Sequence, residues 1–365
     1  MRIAVLFGHN SIKAFGGAER RLTRVYNEIC AENDDLKCDI VVRGCDLDTA
    51  LELFRQTDCD VSRINNVYTF NNRFKYLLHI LFVRKYNLVH FGGEGRLKIL
   101  VQLAYKLINK KTIYTIWGYS IAYNRLPKNK MRMVKILLRL ADHVDLLYPA
   151  GADFISQYVK KENLSITPGT FTDLDVFKPQ KKNKTIVYAA ARLEDAKNPI
   201  LFIESINECR DEIRTAGYKV VLLGQGKYEG HLHNYVKENE LTDIVCLTGY
   251  DRTSKFMPTA SVFFSTQKLE NYPSQSLAEA AACGCYLIIT DVGDSRRCAD
   301  KSFAAFVKAE PKALSQALVK YIDFSQEEKE AIIANARAFA EENYSIEKSK
   351  KYYAEILKKY KRIGV

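Results

Sequence analysis

Short apolar runs rich in β-branched and aromatic residues alternate along this chain with longer segments whose apolar positions recur every three or four residues. The short runs predict buried strands at Ile3–Phe7, Cys38–Val42, Leu88–Phe91, Thr112–Trp117 and Asp145–Tyr148. The longer segments between them predict helices, among them Arg21–Cys30 and Leu97–Lys106. The alternation restarts with strand Thr185–Ala190, helix Pro199–Cys209, strand Lys219–Leu223, helix Gly230–Asn239 and strand Ile244–Leu247. Next comes the apolar run Val262-Phe263-Phe264, a polar loop from Ser265 to Ser276, and the helix-favouring stretch Leu277–Ala282. Cys283-Gly284 supplies a helix stop before another strand, Tyr286–Thr290. Residues 326–362 read as terminal helices, the last rich in Lys and Tyr. Strands alternating with helices at this spacing predict an α/β protein with a parallel, doubly wound sheet in each half.

The segment Ile166–Pro179 holds two prolines and no periodicity, which marks an interdomain linker. The expected organisation is therefore a Rossmann-like domain over residues 1–168, a second over 169–340, and a C-terminal helix, 341–365, packing back on the first. A length of 365 residues suits two domains of ordinary size. No run approaches the roughly 18 uninterrupted apolar residues of a membrane span, and the N-terminal Met1–Phe7 reads as a strand rather than a signal sequence. Nine cysteines without paired C-x-x-C spacing argue against zinc and disulfide scaffolds and for reduced thiols in the cytoplasm.

Charge is unevenly spread. Residues 1–170 carry 26 Lys+Arg against 16 Asp+Glu, and the remainder 29 against 27, so nearly all of the +12 net charge lies in the first half. Two segments there, Arg73–Lys85 and Arg125–Arg139, contain no acidic residue and interleave basic with apolar side chains. Both fit helices lying peripherally on an anionic membrane surface, and both equally fit core-facing helices with a solvated basic side. No zinc-finger, homeodomain or RNP-like pattern accompanies the charge, so nucleic acid is not an expected partner.

The strand, loop and helix between Ser261 and Asp291 place backbone N–H groups at the carboxyl edge of a parallel sheet, where such folds bind anions. Glu270 and Glu279 flank that loop, able to serve a polyol beside a pyrophosphate. Gly16-Gly17 opens the first helix directly after strand one, permitting close approach to its backbone.

Five pieces in order form a wider pattern: Gly16-Gly17-Ala18-Glu19-Arg20; Ala191-Arg192-Leu193 with Lys197-Asn198-Pro199; Leu223-Gly224-Gln225-Gly226; Leu247-Thr248-Gly249-Tyr250; and Glu270 through Thr290. This set resembles the retaining glycosyltransferases of the GT-B fold, glycosyltransferase family four, also called glycosyl transferases group 1. The resemblance implies two Rossmann-like domains facing across a cleft. It implies transfer of a hexose-type sugar from a UDP- or GDP-linked donor to an acceptor hydroxyl, without cofactor or metal. The acceptor would be a glycan or lipid-linked glycan of a bacterial surface polysaccharide or glycolipid, at the inner face of the cytoplasmic membrane.

By the same resemblance, Arg192 and Lys197 face the donor diphosphate and Glu279 accepts hydrogen bonds from the ribose. The backbone of Ser274, Gln275, Ser276 and Leu277 lies against the phosphates, with Gly16 and Gly17 close by and Gly224, Tyr250, Tyr272 and Pro273 completing the donor side. The sequence departs from the family pattern between Glu270 and Glu279, where strict spacing puts Asn271 in the first Glu position. Either the loop carries one extra residue and Glu270 reaches the sugar, which the Glu-Asn-Tyr-Pro run favours, or the Asn271 amide does. Ala191 replaces a usual Gly, Pro168-Gly169 stands in the linker, and Arg297 lies near a commonly acidic position. The active-site histidine of many relatives has no sure counterpart; His9, His90 and Trp117 are the acceptor-side candidates. Two rivals are a non-catalytic sugar-nucleotide binding protein and a GT-B epimerase, the latter disfavoured by Gly-Gly-Ala-Glu and Arg-x4-Lys. If Glu270 makes the contact, Glu270→Gln lowers turnover far more than Asn271→Ala in a transfer assay; the opposite ranking sinks that assignment.

Overall fold

The structure is a computed structural model and describes residues 1–8, 17–56, 59–83 and 85–361. The chain divides into two units, one comprising Met1–Gly169 with Glu347–Val365 and the other Thr170–Ile346.

In the first unit, β1 (Arg2–Phe7), β2 (Lys37–Arg43), β3 (Asn66–Phe70), β4 (Leu88–Gly92), β5 (Lys111–Ile116), β6 (His143–Leu146) and β7 (Leu164–Ile166) form one sheet. The order is β3-β2-β1-β4-β5-β6-β7, and each strand pair is parallel. Ile3, Val5, Ile40, Val89 and Ile113 are wholly buried, as strands covered by helices on both faces must be, which is why they read as unbroken apolar runs. Strand order reverses between β1 and β4, the switch point of this sheet. β3 and β7 escaped the pattern because NVYTF is only half-buried and LSI is three residues long.

The second unit repeats the plan with β8 (Thr185–Arg192), β9 (Lys219–Gln225), β10 (Val245–Gly249), β11 (Val262–Ser265), β12 (Tyr286–Thr290) and β13 (Ala304–Val307), ordered β10-β9-β8-β11-β12-β13 and all parallel. Its switch point falls between β8 and β11. Tyr188 stacks on Phe202 with ring centroids 4.8 Å apart, and Phe264 meets Phe202 edge-on at 5.2 Å, joining sheet and helix. The helix Gln275–Ala282 buries every residue from Leu277 to Ala282, and its alanines leave room for the helix Gln326–Asn343 to pack closely. Gly284, at φ +74°, ends that helix; a Cβ there would stand 2.8 Å from Ile333 Cγ2. Ser325 and Glu328 form a reciprocal capping box at the start of Gln326–Asn343.

From Glu347 onward the chain belongs to the first unit, and a buried carboxylate explains how its last helix, Ile346–Lys361, is held there. Asp145, on β6, is fully enclosed. It accepts hydrogen bonds from the hydroxyls of Tyr352 and Tyr353, both at 2.6 Å, and of Thr115 at 2.9 Å. Arg21 completes the cluster: Nη2 lies 3.9 Å from Asp145, Nη1 donates to Thr167 at 2.6 Å, and the guanidinium sits over the Tyr353 ring. A buried carboxylate is tolerable only when paired and hydrogen-bonded, and here the helix itself supplies two of the donors.

His90 belongs to the same cluster. Thr115 gives its one proton to Asp145, so it accepts from His90 Nε2–H at 2.6 Å, leaving Nδ1 to accept from the Tyr26 hydroxyl at 2.8 Å. Burial, with help from the Arg21 charge and against the pull of Asp145, pushes the imidazole pKa down to about 3, so the ring is neutral. The sequence expectation that His90 meets an acceptor is corrected accordingly: its ring is sealed in the sheet, with both nitrogens committed. Among the described residues no helix is long and apolar enough to cross a membrane.

Replacing Asp145 by Ala strands the Arg21 charge and three hydroxyls, so urea unfolding is expected to show a loss of about 3 kcal/mol or more. Tyr353→Phe removes one hydrogen bond and is expected to lose about 1 kcal/mol. An Asp145→Ala variant as stable as the parent would overturn this account of the C-terminal helix.

Candidate functional site

The carboxyl edge of the second sheet gathers most of the chemistry that the sequence singles out. β8 ends at Arg192, in register with Gln225 at the end of β9, and Leu193 N–H donates to the Gln225 carbonyl at 2.8 Å. The register slips between Ala189 and Arg192, and Gly224 makes that slip possible. Gly224 has φ +146°, and a Cβ on it would lie 2.1 Å from the Ala190 carbonyl oxygen, so the two strands can pass this closely only over a bare α carbon. Gly224 thus shapes the edge rather than contacting a ligand through a side chain. The Arg192 guanidinium is exposed, with Nε 3.5 Å from Glu194.

Lys197 follows in the turn that leads into the helix Pro199–Glu208. Its carbonyl accepts from the Tyr188 hydroxyl at 2.8 Å and from Thr266 Oγ1 at 3.0 Å, anchoring the turn to β8 and to the end of β11. Its ammonium donates to Gln267 Oε1 at 3.1 Å. Burial lowers the Lys197 pKa, the neighbouring Arg192 charge lowers it further, and Glu194 partly offsets both. The mutual effect places the two cations in one field.

The loop after β11 supplies the carboxylates. Glu270 Oε1 accepts from the N–H groups of Tyr272 at 2.8 Å and Asp294 at 3.0 Å. Gly293, at φ +56°, makes room beside it: a Cβ there would stand 2.4 Å from Glu270 Oε2. Ser274 caps the helix Gln275–Ala282 by accepting from Leu277 N–H, and its hydroxyl lies 3.3 Å from that of Ser276. One turn later, Glu279 accepts from Gln275 Nε2 at 3.1 Å and from the Thr253 hydroxyl at 2.7 Å. Gln275 is itself oriented by Thr170 at 2.7 Å. Lys268 N–H donates to the Ala196 carbonyl at 3.1 Å, tying this loop to the turn that carries Lys197. Tyr272 and Pro273 are half-buried in the loop, Leu277 contributes only backbone because its side chain is in the core, and Tyr250 stands exposed just beyond β10.

Asn271 requires a correction. It is 1% exposed. Its Oδ1 accepts from Ser265 Oγ at 2.6 Å, and its Nδ2 donates to Thr290 at the carbonyl (2.9 Å) and the hydroxyl (3.2 Å). The amide is consumed in joining the ends of β11 and β12, so it has nothing left for a ligand. The irregular spacing of the loop therefore reflects a buried brace beside Glu270.

The other candidates fall elsewhere. Trp117 packs its indole on Gly92, where a Cβ would lie 2.6 Å from the ring, at the carboxyl edge of the first sheet. Gly17 starts the helix Gly17–Ala31 and is exposed, while His9 and Gly16 lie outside the described residues. Thr253, Gln267 and the Gly293-Asp294 turn were not anticipated. A glycine right after an apolar strand was a readable signal for the last; nothing local marks Thr253, which is 26 residues from the carboxylate it orients.

Residues 171–339, nearly all of the second unit, match the family described as Glycosyl transferases group 1. The second unit is thus similar in sequence to the group 1 glycosyltransferases. Two curated Campylobacter jejuni proteins are similar to it. One, N-acetylgalactosamine-N,N'-diacetylbacillosaminyl-diphospho-undecaprenol 4-alpha-N-acetylgalactosaminyltransferase, is 29% identical over 184 residues, 47% of this chain and 48% of that protein. The other, a GalNAc-alpha-(1->4)-GalNAc-alpha-(1->3)-diNAcBac-PP-undecaprenol alpha-1,4-N-acetyl-D-galactosaminyltransferase, is 24% identical over 234 residues, 61% and 62% of the two chains. The chain thus spans about half to three fifths of the length of these relatives. Among solved structures, Anabaena HepE in complex with UDP superposes with a TM-score of 0.79 at 16% identity, covering 98% of this chain and 100% of that one. WaaG, a glycosyltransferase involved in lipopolysaccharide biosynthesis, gives 0.65 at 14% identity over 98% and 99%. The fold is that of the GT-B class, two Rossmann-like parallel-sheet units.

Asn271→Ala is expected to lower stability by about 2 kcal/mol, because the buried Ser265 hydroxyl loses its acceptor and the Thr290 carbonyl and hydroxyl each lose a donor. Glu270→Gln keeps an oxygen for the two N–H donors and is expected to cost less than about 1 kcal/mol. Equal losses in urea unfolding would refute the division of labour between these neighbours.

Proposed function

We propose that this chain moves a sugar from a nucleoside diphosphate sugar, UDP- or GDP-linked, to an acceptor hydroxyl with retention of configuration, in the synthesis of a bacterial surface polysaccharide or glycolipid. The observation that carries this reading is the convergence, at one sheet edge, of Arg192, Lys197, the capped N-terminus of Gln275–Ala282 and the oriented carboxylates of Glu270 and Glu279.

That set suits a sugar nucleotide. When the bond between the anomeric carbon and the diphosphate breaks, negative charge grows on the leaving oxygen, and fixed cations stabilise charge that appears in the transition state. Arg192 and Lys197 supply that field together with the helix N-terminus, so the reading calls for neither metal nor cofactor. Glu279 presents a carboxylate that can take both vicinal ribose hydroxyls in exchange for its Gln275 and Thr253 donors. Glu270, held by two backbone N–H groups, is set to accept from the sugar's hydroxyls. The acceptor oxygen bonds to the anomeric carbon on the face the diphosphate leaves, and its proton passes to a phosphate oxygen. Acceptor recognition falls to the first unit, with Trp117 as its aromatic candidate.

Names among the relatives support this direction: two act on undecaprenol-diphosphate glycans, and HepE is solved with UDP and with UDP-glucose. A lipid-linked acceptor would put the enzyme at the cytoplasmic face of the membrane.

A thermal-shift panel of UDP-, GDP- and ADP-sugars should show one stabilising donor class; a donor at a hundred times its Kd adds about 2.7 kcal/mol. Arg192→Ala and Lys197→Ala are each expected to lower kcat/KM about a hundredfold, and near-normal turnover would overturn the assignment. Binding without transfer to any lipid-linked or free acceptor would favour a non-catalytic binding protein. Because the Lys197 pKa lies below its usual value, donor affinity should fall as pH rises through it. Lys197→Arg should move that alkaline limb upward, since a guanidinium stays protonated.

A further inference from the structure

The first unit leaves a large apolar surface uncovered. The helix Arg73–Leu78 runs into a π-helical turn, His79–Val83, whose inner side chains Tyr76 and Ile80 enter the core. The helix Arg96–Leu107 adjoins it: the Tyr105 hydroxyl donates to the Ile80 carbonyl at 3.0 Å, while Val101 and Tyr105 face inward. The outward side of both elements is apolar. Phe74 and Phe82 are each 68% exposed, Val83 64% and Leu107 87%. Leu100, Leu103 and Leu107, spaced by three and four residues, make a single stripe along the second helix. Isolated exposed leucines are ordinary on a protein surface, but several large exposed apolar side chains gathered on two adjoining elements mark an interaction site.

The charge around the patch has one sign. Between residues 73 and 111 there are nine Lys or Arg and one acidic residue, Glu94, which is paired with Lys130 at 3.1 Å. Lys75, Lys85 and Lys106 are exposed beside the apolar side chains. The second basic segment of the sequence behaves differently. The helix Lys128–Leu140 turns Met131, Val134, Leu137 and Leu138 into the core and leaves Ile136 as its one large exposed apolar residue among those described. Of two similar compositions, only the first exposes several large apolar side chains.

We infer that this face docks on an anionic lipid bilayer. Phe74, Phe82, Val83 and Leu107 enter the boundary between headgroups and acyl chains, and Lys75, Lys85 and Lys106 meet lipid phosphates. A second copy of the chain is a poor occupant, because pairing the face with itself would bring the like-charged rims together. A bilayer offers negative charge along the whole rim and hydrocarbon beneath it. The inference stands independently of the proposed sugar transfer.

Cosedimentation of the full chain with phosphatidylcholine vesicles, with and without phosphatidylglycerol, tests it. Partition onto the phosphatidylglycerol vesicles should exceed that onto phosphatidylcholine by at least about tenfold and weaken with added salt. Phe82→Ser combined with Leu107→Ser should reduce partition about tenfold or more, and Lys75→Glu with Lys106→Glu should do the same while flattening the salt dependence. Ile136→Ser is the control and should partition like the parent. These side chains are exposed, so urea unfolding should superimpose for all four proteins. Absence of binding to phosphatidylglycerol vesicles, or equal binding by the Phe82/Leu107 variant, would overturn the proposal. So would a concentration-dependent dimer on size exclusion, dissolved by that variant, without vesicle binding.

Discussion

A parallel sheet covered by helices on both faces buries its strands completely, so the backbone and side chains free to meet a ligand are those where each strand gives way to a loop at the carboxyl edge. Every feature of the candidate site follows from that constraint. Arg192, Gln225, Ser265 and Thr290 are strand-terminal residues of β8, β9, β11 and β12. Lys197, Glu270, Glu279 and Thr253 lie on the turns, loop and helix that leave or approach the same edge. Parallel pairing sets these residues side by side, and close spacing of the strands, allowed by Gly224, sets how tightly they converge.

Within each unit, buried polar groups divide into those that hold the fold and those left to face a ligand. Asp145 in the first unit and Asn271 in the second are both fully satisfied by neighbours. Each converts a costly burial into a fixed geometry, fastening the C-terminal helix in one case and two strand ends in the other. Glu270 and Glu279 are held differently: among the described residues Glu270 accepts from two backbone N–H groups, and Glu279 from an amide and a hydroxyl, donors that orient a carboxylate. The cations meet little countercharge among the described residues. Lys197 is bound to an uncharged amide oxygen, and Arg192 meets an exposed Glu194 at 3.5 Å. Such an edge keeps its charge available for an anion that arrives from solution.

The surface shows the same separation of similar sequences by packing. Arg73–Lys85 and Arg125–Arg139 are alike in composition, both free of acidic residues. Both turn an apolar side into the core, but the first also leaves Phe74, Phe82 and Val83 exposed, while Lys128–Leu140 keeps a regular inward stripe with only Ile136 outside among the described residues. Exposed lysines then serve two different settings, a wetted rim around hydrocarbon in one and a simple solvated face in the other.

How much of this was legible beforehand follows from the range over which each feature is determined. Strand and helix positions, the two-unit plan and the edge location of Arg192, Lys197, Glu270 and Glu279 are written locally, because buried parallel strands need continuous apolar runs and their loops need polar residues and glycine. β3 and β7 were lost to the same rule, being half-buried and too short to carry a run. The roles of individual polar residues are not local. Asn271 is decided by Thr290, 19 residues on, Glu279 by Thr253, and Asp145 by Tyr353, 208 residues away. His90 sits near a strand end like a ligand would, yet Tyr26 and Thr115 close over it. The sequence by itself determined where strands stop and chemistry gathers; only tertiary packing decided which of those polar groups were consumed by neighbours and which were left to act, because a hydrogen bond's partner is chosen in space and not along the chain.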